Sequence, residues 1–130
     1  MAMQIEQVPG EPIIIVHFTG WVEPLEVVDP MLEKVVAFKR ETQQHVYRIL
    51  DFSQAQLDFG EMVQGMGSEV NREGGSNDPD VTTMFVVSDD LHKLGVQSIQ
   101  QQDQYGKAPV SFFMSCDEAV AYAKTDAAAK

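Results

Sequence analysis

Cysteine is almost missing from this chain: Cys116 is the only one in 130 residues. A lone thiol cannot close an internal disulfide, a usage that suits a reducing compartment. Basic residues are also scarce. Nine Lys and Arg stand against 20 Asp and Glu, for a formal net charge of -11. Lys39-Arg40 is the densest basic stretch, so no cationic cluster interrupts the acidic trend. Such a field repels phosphate backbones and anionic membrane surfaces, which argues against nucleic acid as a partner. No apolar run approaches the ~20 residues of a membrane-crossing helix, so no membrane insertion is expected. The opening stretch MAMQIEQVPG lacks a basic segment followed by an apolar one, and so does not read as a secretory signal. Together these shortages predict a cytoplasmic protein. The three histidines, His17, His45 and His92, are scattered without metal-ligand spacing. No metal and no other cofactor is expected.

What is present fits one domain over residues 1–130. Hydrophobic residues at 44% and charged residues at 22% match a soluble chain with a single core. MQIEQV alternates apolar and polar residues, the period of a half-exposed strand. After the turn residues PGEP, the β-branched run IIIVHF predicts a strand buried on both faces. The two strands should pair as an antiparallel hairpin. Asp29 and Pro30 read as cap and first position of a helix with apolar Val28, Met31, Leu32, Val35 and Val36. Glu23-Pro24 offers an earlier turn. HVYRILDF predicts a third strand, in which Arg48 should lie at a covered edge or pair with an acid. Asp58 with Glu61 three residues on forms a capping-box pattern for a second helix. Its apolar stripe is Phe59, Met62, Val63, Met66 and Val70. NREGGSNDPD reads as a mobile loop. VTTMFVVS predicts the fourth strand, DDLHKLGVQSIQQQDQYG the third helix and APVSFFMS the fifth strand. Ser115 and Glu118 then open a last helix, DEAVAYAK. The order β-β-α-β-α-β-α-β-α predicts an α/β fold with a mostly parallel five-stranded sheet.

This order, together with YRILDFS before the second helix and SCDEAVAYA after the last strand, resembles STAS domains, the anti-sigma-factor-antagonist or SpoIIAA-like family. The resemblance covers nearly the whole chain. It implies a SpoIIAA-like fold with helices mainly on one sheet face, and a regulatory role through protein–protein interaction. In the family's regulatory members a Ser or Thr just after an acid, near the start of the second helix, accepts phosphate from a partner kinase. Here Phe59 and Gly60 follow Asp58, so the phosphoacceptor hydroxyl is missing and no phosphoswitch is expected.

Ligands of open α/β sheets favour the loops after the carboxyl ends of parallel strands. The candidate partner- or ligand-binding residues are accordingly Asp51, Ser53, Asp58, Phe59, Met62, Met66, Ser88 and Asp89. Asp89 and Asp90 read first as helix caps. His17 reads as a hydrogen-bonded core imidazole. Cys116 precedes a helix, where a thiolate is favoured, but no His is placed beside it by spacing. No catalytic residue is assigned. The helical glycines Gly65 and Gly67 cost about 1 kcal/mol each relative to Ala, which implies close backbone approach or a helix end near Gly67.

Three readings follow. The favoured one is a non-enzymatic STAS-like interaction module. The alternative is a carrier of a small apolar, lipid-like ligand lined by Met31, Met62, Met66, Met84, Phe85 and Phe113. The third is an enzyme using the acids and Cys116, which a Cys–His–acid cluster would favour. If the helices leave one apolar sheet face bare, a homodimer is expected, unless the C-terminal helix or TGWVEPLEVV covers that face.

Overall fold

A computed structural model describes residues 2–87 and 110–129. Five strands, β1 (Ala2–Gln7), β2 (Ile13–Trp21), β3 (Val46–Gln56), β4 (Val81–Val86) and β5 (Val110–Phe113), form one sheet in the order β1-β2-β3-β4-β5. β1 runs antiparallel to β2, and the remaining pairings are parallel. Three helices are described: α1 (Pro24–Thr42), α2 (Phe59–Ser68) and α3 (Cys116–Ala128). This is the α/β arrangement, single domain and hairpin included, that the sequence pattern predicts. The third helix expected from DDLHKLGVQSIQQQDQYG, and with it Ser88 and Asp89, lies outside the described residues.

Each face of the sheet has its own core. Residues with the parity of Ile14, Val16, Val46 and Leu50 point toward α1 and α2, where Val27, Met31, Val35, Met62 and Met66 meet them. The other parity, Ile13, Ile15, Tyr47, Ile49, Met84 and Val86, packs under Ala119 and Ala123 of α3. IIIVHF is buried on both faces for this reason. Two described helices thus share one face while α3 takes the other. The second face is not bare, which removes the bare sheet face as a ground for expecting a homodimer. Ala119 and Ala123, both fully buried, let the helix approach closely enough to do this.

Two local expectations need correction. The first helix begins with the earlier turn at Glu23-Pro24, so Asp29-Pro30 is not its start. Pro24 already supplies the preset φ of a first turn, and Val27 and Val28 carry the apolar stripe back to it. Pro30 lies inside the helix, and Asp29, exposed, pairs with Arg72 at 2.8 Å. Residues 71–80, expected to be a mobile loop by composition, are tied down instead. Gly74, Gly75, Ser76 and Asp78 are buried. Asp78 accepts from Gly74 N at 2.7 Å, Asp80 N at 2.9 Å and Lys39 Nζ at 3.0 Å.

Candidate functional site

The parallel register of β2 and β3 sets His17 beside Asp51. Both end runs of apolar residues, and both share the sheet face that α3 covers. Immediately beyond them the pairing slips, since Thr19 opposes Gln54. The extra length in β3 is a bulge, a device that re-aims side chains at strand ends. Asp51 Oδ1 stabilises it by accepting from Ser53 N at 2.9 Å and Ser53 Oγ at 2.6 Å. Asp51 Oδ2 is left for His17, whose Nδ1 lies 2.7 Å away. His17 Nε2 is 2.9 Å from Glu6 Oε1, on β1. Cys116, the first residue of α3, brings its Sγ within 4.8 Å of ligand atoms of both His17 and Asp51.

The charges follow from this geometry. Partial burial alone would lower the His17 pKa, but hydrogen bonds and charge from Glu6 and Asp51 outweigh it and raise the pKa. Burial alone would raise that of Asp51, but bonds from Ser53, His17 and Cys116 lower it. Burial, then the Asp51 carboxylate, pushes the Cys116 thiol up to about 12. The helix N-terminus that favours a thiolate is overruled by the acids around it.

A Cys–His–acid cluster therefore exists, although residue spacing does not reveal it. Its arrangement is nevertheless unsuited to nucleophilic catalysis. A nucleophile triad places the imidazole between thiol and acid, so that it can take the proton. Here both ring nitrogens of His17 are engaged by carboxylates, Asp51 on Nδ1 and Glu6 on Nε2, and burial with the Asp51 carboxylate pushes the thiol pKa up, so the thiol is not activated. The signal that could have found the cluster is register. His17 is the fifth residue of IIIVHF, and Asp51 the fifth after Val46, so in-register parallel pairing makes them neighbours.

The other candidates separate. Asp58 caps α2 in a complete capping box with Glu61, accepting Glu61 N at 2.7 Å. Phe59 is the first helical residue after that cap. Met62 and Met66 are buried in the core between sheet and helices, so neither offers a binding surface. The glycines behave as their cost implies. A Cβ on Gly65 would lie 3.3 Å from Pro24 Cβ, so this glycine lets α2 pack closely on α1. Gly67 meets nothing within 4 Å, and the helix ends one residue later.

The apolar cavity beneath α2 is bounded by Phe18, Met31, Phe52, Met62, Met66 and Phe85, among others, and has a volume of about 30 Å³. That is room for about one water, far below the several hundred Å³ of a small-molecule site. The six residues expected to line a ligand pocket are also divided by the sheet. Met31, Met62, Met66 and Phe85 lie on one face, Met84 and Phe113 on the other. Arg48 is no surface group: it is fully buried in the central strand and paired with Glu69.

Two large apolar side chains flank the β3–α2 connection in solvent. Trp21, at the end of β2 opposite Gln56, is 55% exposed, and Leu25, next to the Pro24 that meets α2, is 58% exposed. The sequence pattern singles out neither as a candidate binding residue, because a single apolar residue near a turn carries no periodic signal; both lie in TGWVEPLEVV, read above as a segment that could cover a sheet face. Among the described residues no helix is long and apolar enough to cross a membrane. Compared with known proteins, the chain matches no family model and no curated sequence.

Proposed function

We propose that this chain is a non-enzymatic, STAS-like protein-interaction module of regulatory type that is not switched by phosphorylation. The observation that supports it is the exposure of Trp21 and Leu25 beside the β3–α2 connection. Tryptophan is among the side chains that protein partners most often bury as anchors, and Leu25 adds apolar area beside it. The frame here is firm: α2 is capped at its start, packed on α1 through Gly65, and its C-cap residue Glu69 is bonded to Arg48. The surface role thus passes from Met62 and Met66 to Trp21 and Leu25, with Asp58 at the rim. The engagement of both His17 ring nitrogens by carboxylates and the raised pKa of the Cys116 thiol weigh against the enzyme reading. The small cavity weighs against an apolar-ligand carrier.

The test is affinity capture from the native source with the wild-type chain and with a Trp21→Glu/Leu25→Glu variant, read by quantitative mass spectrometry. A partner enriched at least tenfold by the wild type and lost with the variant is the expected result. Sedimentation equilibrium of both proteins identifies the case in which the partner is a second copy. Identical capture profiles and identical masses for the two proteins would overturn the reading.

A further inference from the structure

The cluster at the end of β2 and β3 holds three donors of types that bind transition metals: an imidazole, a carboxylate and a thiol. One ligand atom from each of His17, Asp51 and Cys116 lies within 4.8 Å of the other two. They come from β2, β3 and the start of α3, so the tertiary fold brings them together and no local motif does. We propose that His17 Nδ1, Asp51 Oδ2 and Cys116 Sγ form a three-donor binding site for a divalent transition-metal ion of the zinc class, with a fourth position open to solvent.

Three observations carry the assignment. The first is distance. Metal–ligand bonds of about 2.0–2.3 Å at tetrahedral angles put donor atoms about 3.5 Å apart. The 2.7 Å between His17 Nδ1 and Asp51 Oδ2 must widen and the longest separation close, each by about an ångström, within reach of small side-chain rotations. The second is orientation. Metal-ligating imidazoles commonly donate their other ring N–H to a carboxylate, which fixes the tautomer. Glu6 stands in that place on Nε2. Ser53 likewise holds Asp51 Oδ1 through its amide and hydroxyl, which leaves Oδ2 to face the imidazole. The third is chemistry. One sulfur and one nitrogen among three donors select a borderline ion over Mg²⁺ or Ca²⁺, which need oxygen ligands. The chain's net charge of -11 also draws cations toward it.

Binding exchanges protons for metal. The ion replaces the proton on Cys116 Sγ and any proton on His17 Nδ1, and each leaves to solvent. Nε2 keeps its proton and its bond to Glu6. No redox change is involved. This inference is independent of the interaction surface at Trp21 and Leu25, which lies beyond the bulge.

The experiment uses the full-length chain, stripped with a chelator and desalted. Co²⁺ serves as the spectroscopic probe and Zn²⁺ as its competitor. The expected result is one Co²⁺ per chain with a thiolate-to-cobalt charge-transfer band, displaced by equimolar Zn²⁺ and untouched by excess Mg²⁺. Cys116→Ser should abolish that band. Glu6→Gln should weaken Zn²⁺ binding about 10–100-fold, as loss of an outer-sphere partner does. A second readout needs no substitution: Zn²⁺ should slow alkylation of Cys116 in the wild-type chain at least tenfold. Absence of saturable 1:1 binding overturns the proposal. So does binding that Cys116→Ser leaves unchanged together with unslowed alkylation, since the metal would then sit elsewhere on the acidic surface.

Discussion

Arg48 and Glu69 form a bidentate ion pair at the centre of the molecule. Arg48 Nη1 donates to Glu69 Oε2 at 3.0 Å and Nη2 to Oε1 at 2.5 Å. Their side chains are 0% and 2% exposed. Arg48 Nε reaches Thr83 at 3.1 Å, and Ser76 Oγ accepts from Nη2 at 3.1 Å while donating to Glu69. β3, β4, the end of α2 and the loop after it therefore meet on one guanidinium. A buried pair of this kind repays its desolvation only when its hydrogen bonds are complete, and the described buried side-chain polar atoms all have partners.

Arg48→Met should consequently cost about 3–5 kcal/mol, because it strands the Glu69 carboxylate. Arg48→Met with Glu69→Leu should recover most of that loss, since apolar replacements of a whole buried pair are often close to neutral. Urea unfolding of wild type, both single variants and the double variant completes the cycle. Simple additivity of the single losses would show that the pair is not coupled.

Gly75 and Gly67 stand at opposite ends of tolerance to a side chain. A Cβ on Gly75 would stand 2.3 Å from the Glu69 carbonyl oxygen and 3.0 Å from that of Arg72, both backbone atoms. Gly75→Ala should destabilise by at least about 2 kcal/mol and loosen the loop from Arg48. Gly67 is helical, with open space where a Cβ would go. Gly67→Ala should stabilise by about 0.5–1 kcal/mol. Thermal melts of the two variants, expected to move in opposite directions, provide the check.

The strands, the hairpin and the capping box were legible because each rests on local signals: β-branched runs, PGEP, and Asp58 three residues before Glu61. The start of α1 was misread because two prolines compete for the first turn, and the winner is decided by how far the apolar stripe extends. The loop at residues 71–80 reads as mobile since Gly, Ser, Asn and Asp have the same composition whether solvated or bonded. What orders it are distant partners, Lys39 and Arg48, which no window of sequence contains. The His17–Asp51–Cys116 cluster escaped for the same reason: its members are 34 and 65 positions apart in pairs, and only register and the docking of α3 join them.

Ser53 is the hydroxyl nearest the expected phosphoacceptor region, and it is a poor substrate on physical grounds. Its Oγ and amide are both engaged by Asp51. A phosphate there would break both bonds and set about two negative charges beside a carboxylate. Intact-mass and phosphosite analysis of protein from its native cells should show no stoichiometric phosphate on Ser53 or Ser68. A Ser53→Asp variant, as a charge mimic, should be less stable than Ser53→Ala.

Asp78 makes the fold sensitive to acid. Burial by itself raises its pKa, yet the amides of Gly74 and Asp80 and the Lys39 ammonium outweigh that and lower it below 3.8. A carboxyl whose folded pKa is depressed adds stability that is fully present above its unfolded value and is lost as pH falls through the folded one. Lys39 is shifted the other way. Burial alone would lower its pKa, but the bonds to Asp78 and Glu73 raise it above 10.5. Its share is present below 10.5 and is lost only as pH rises through the folded value, so between the two limits the pair's contribution is flat. Asp78→Asn keeps an acceptor for the Gly74 or Asp80 amide but removes the charge facing Lys39. Urea unfolding of wild type and Asp78→Asn, followed from neutral pH into acid, should therefore give a constant gap that starts to close near pH 3.8 and vanishes below it. A gap of equal size on both sides of that point would mean that Asp78 holds the loop by hydrogen-bond geometry alone, and that its charge adds nothing.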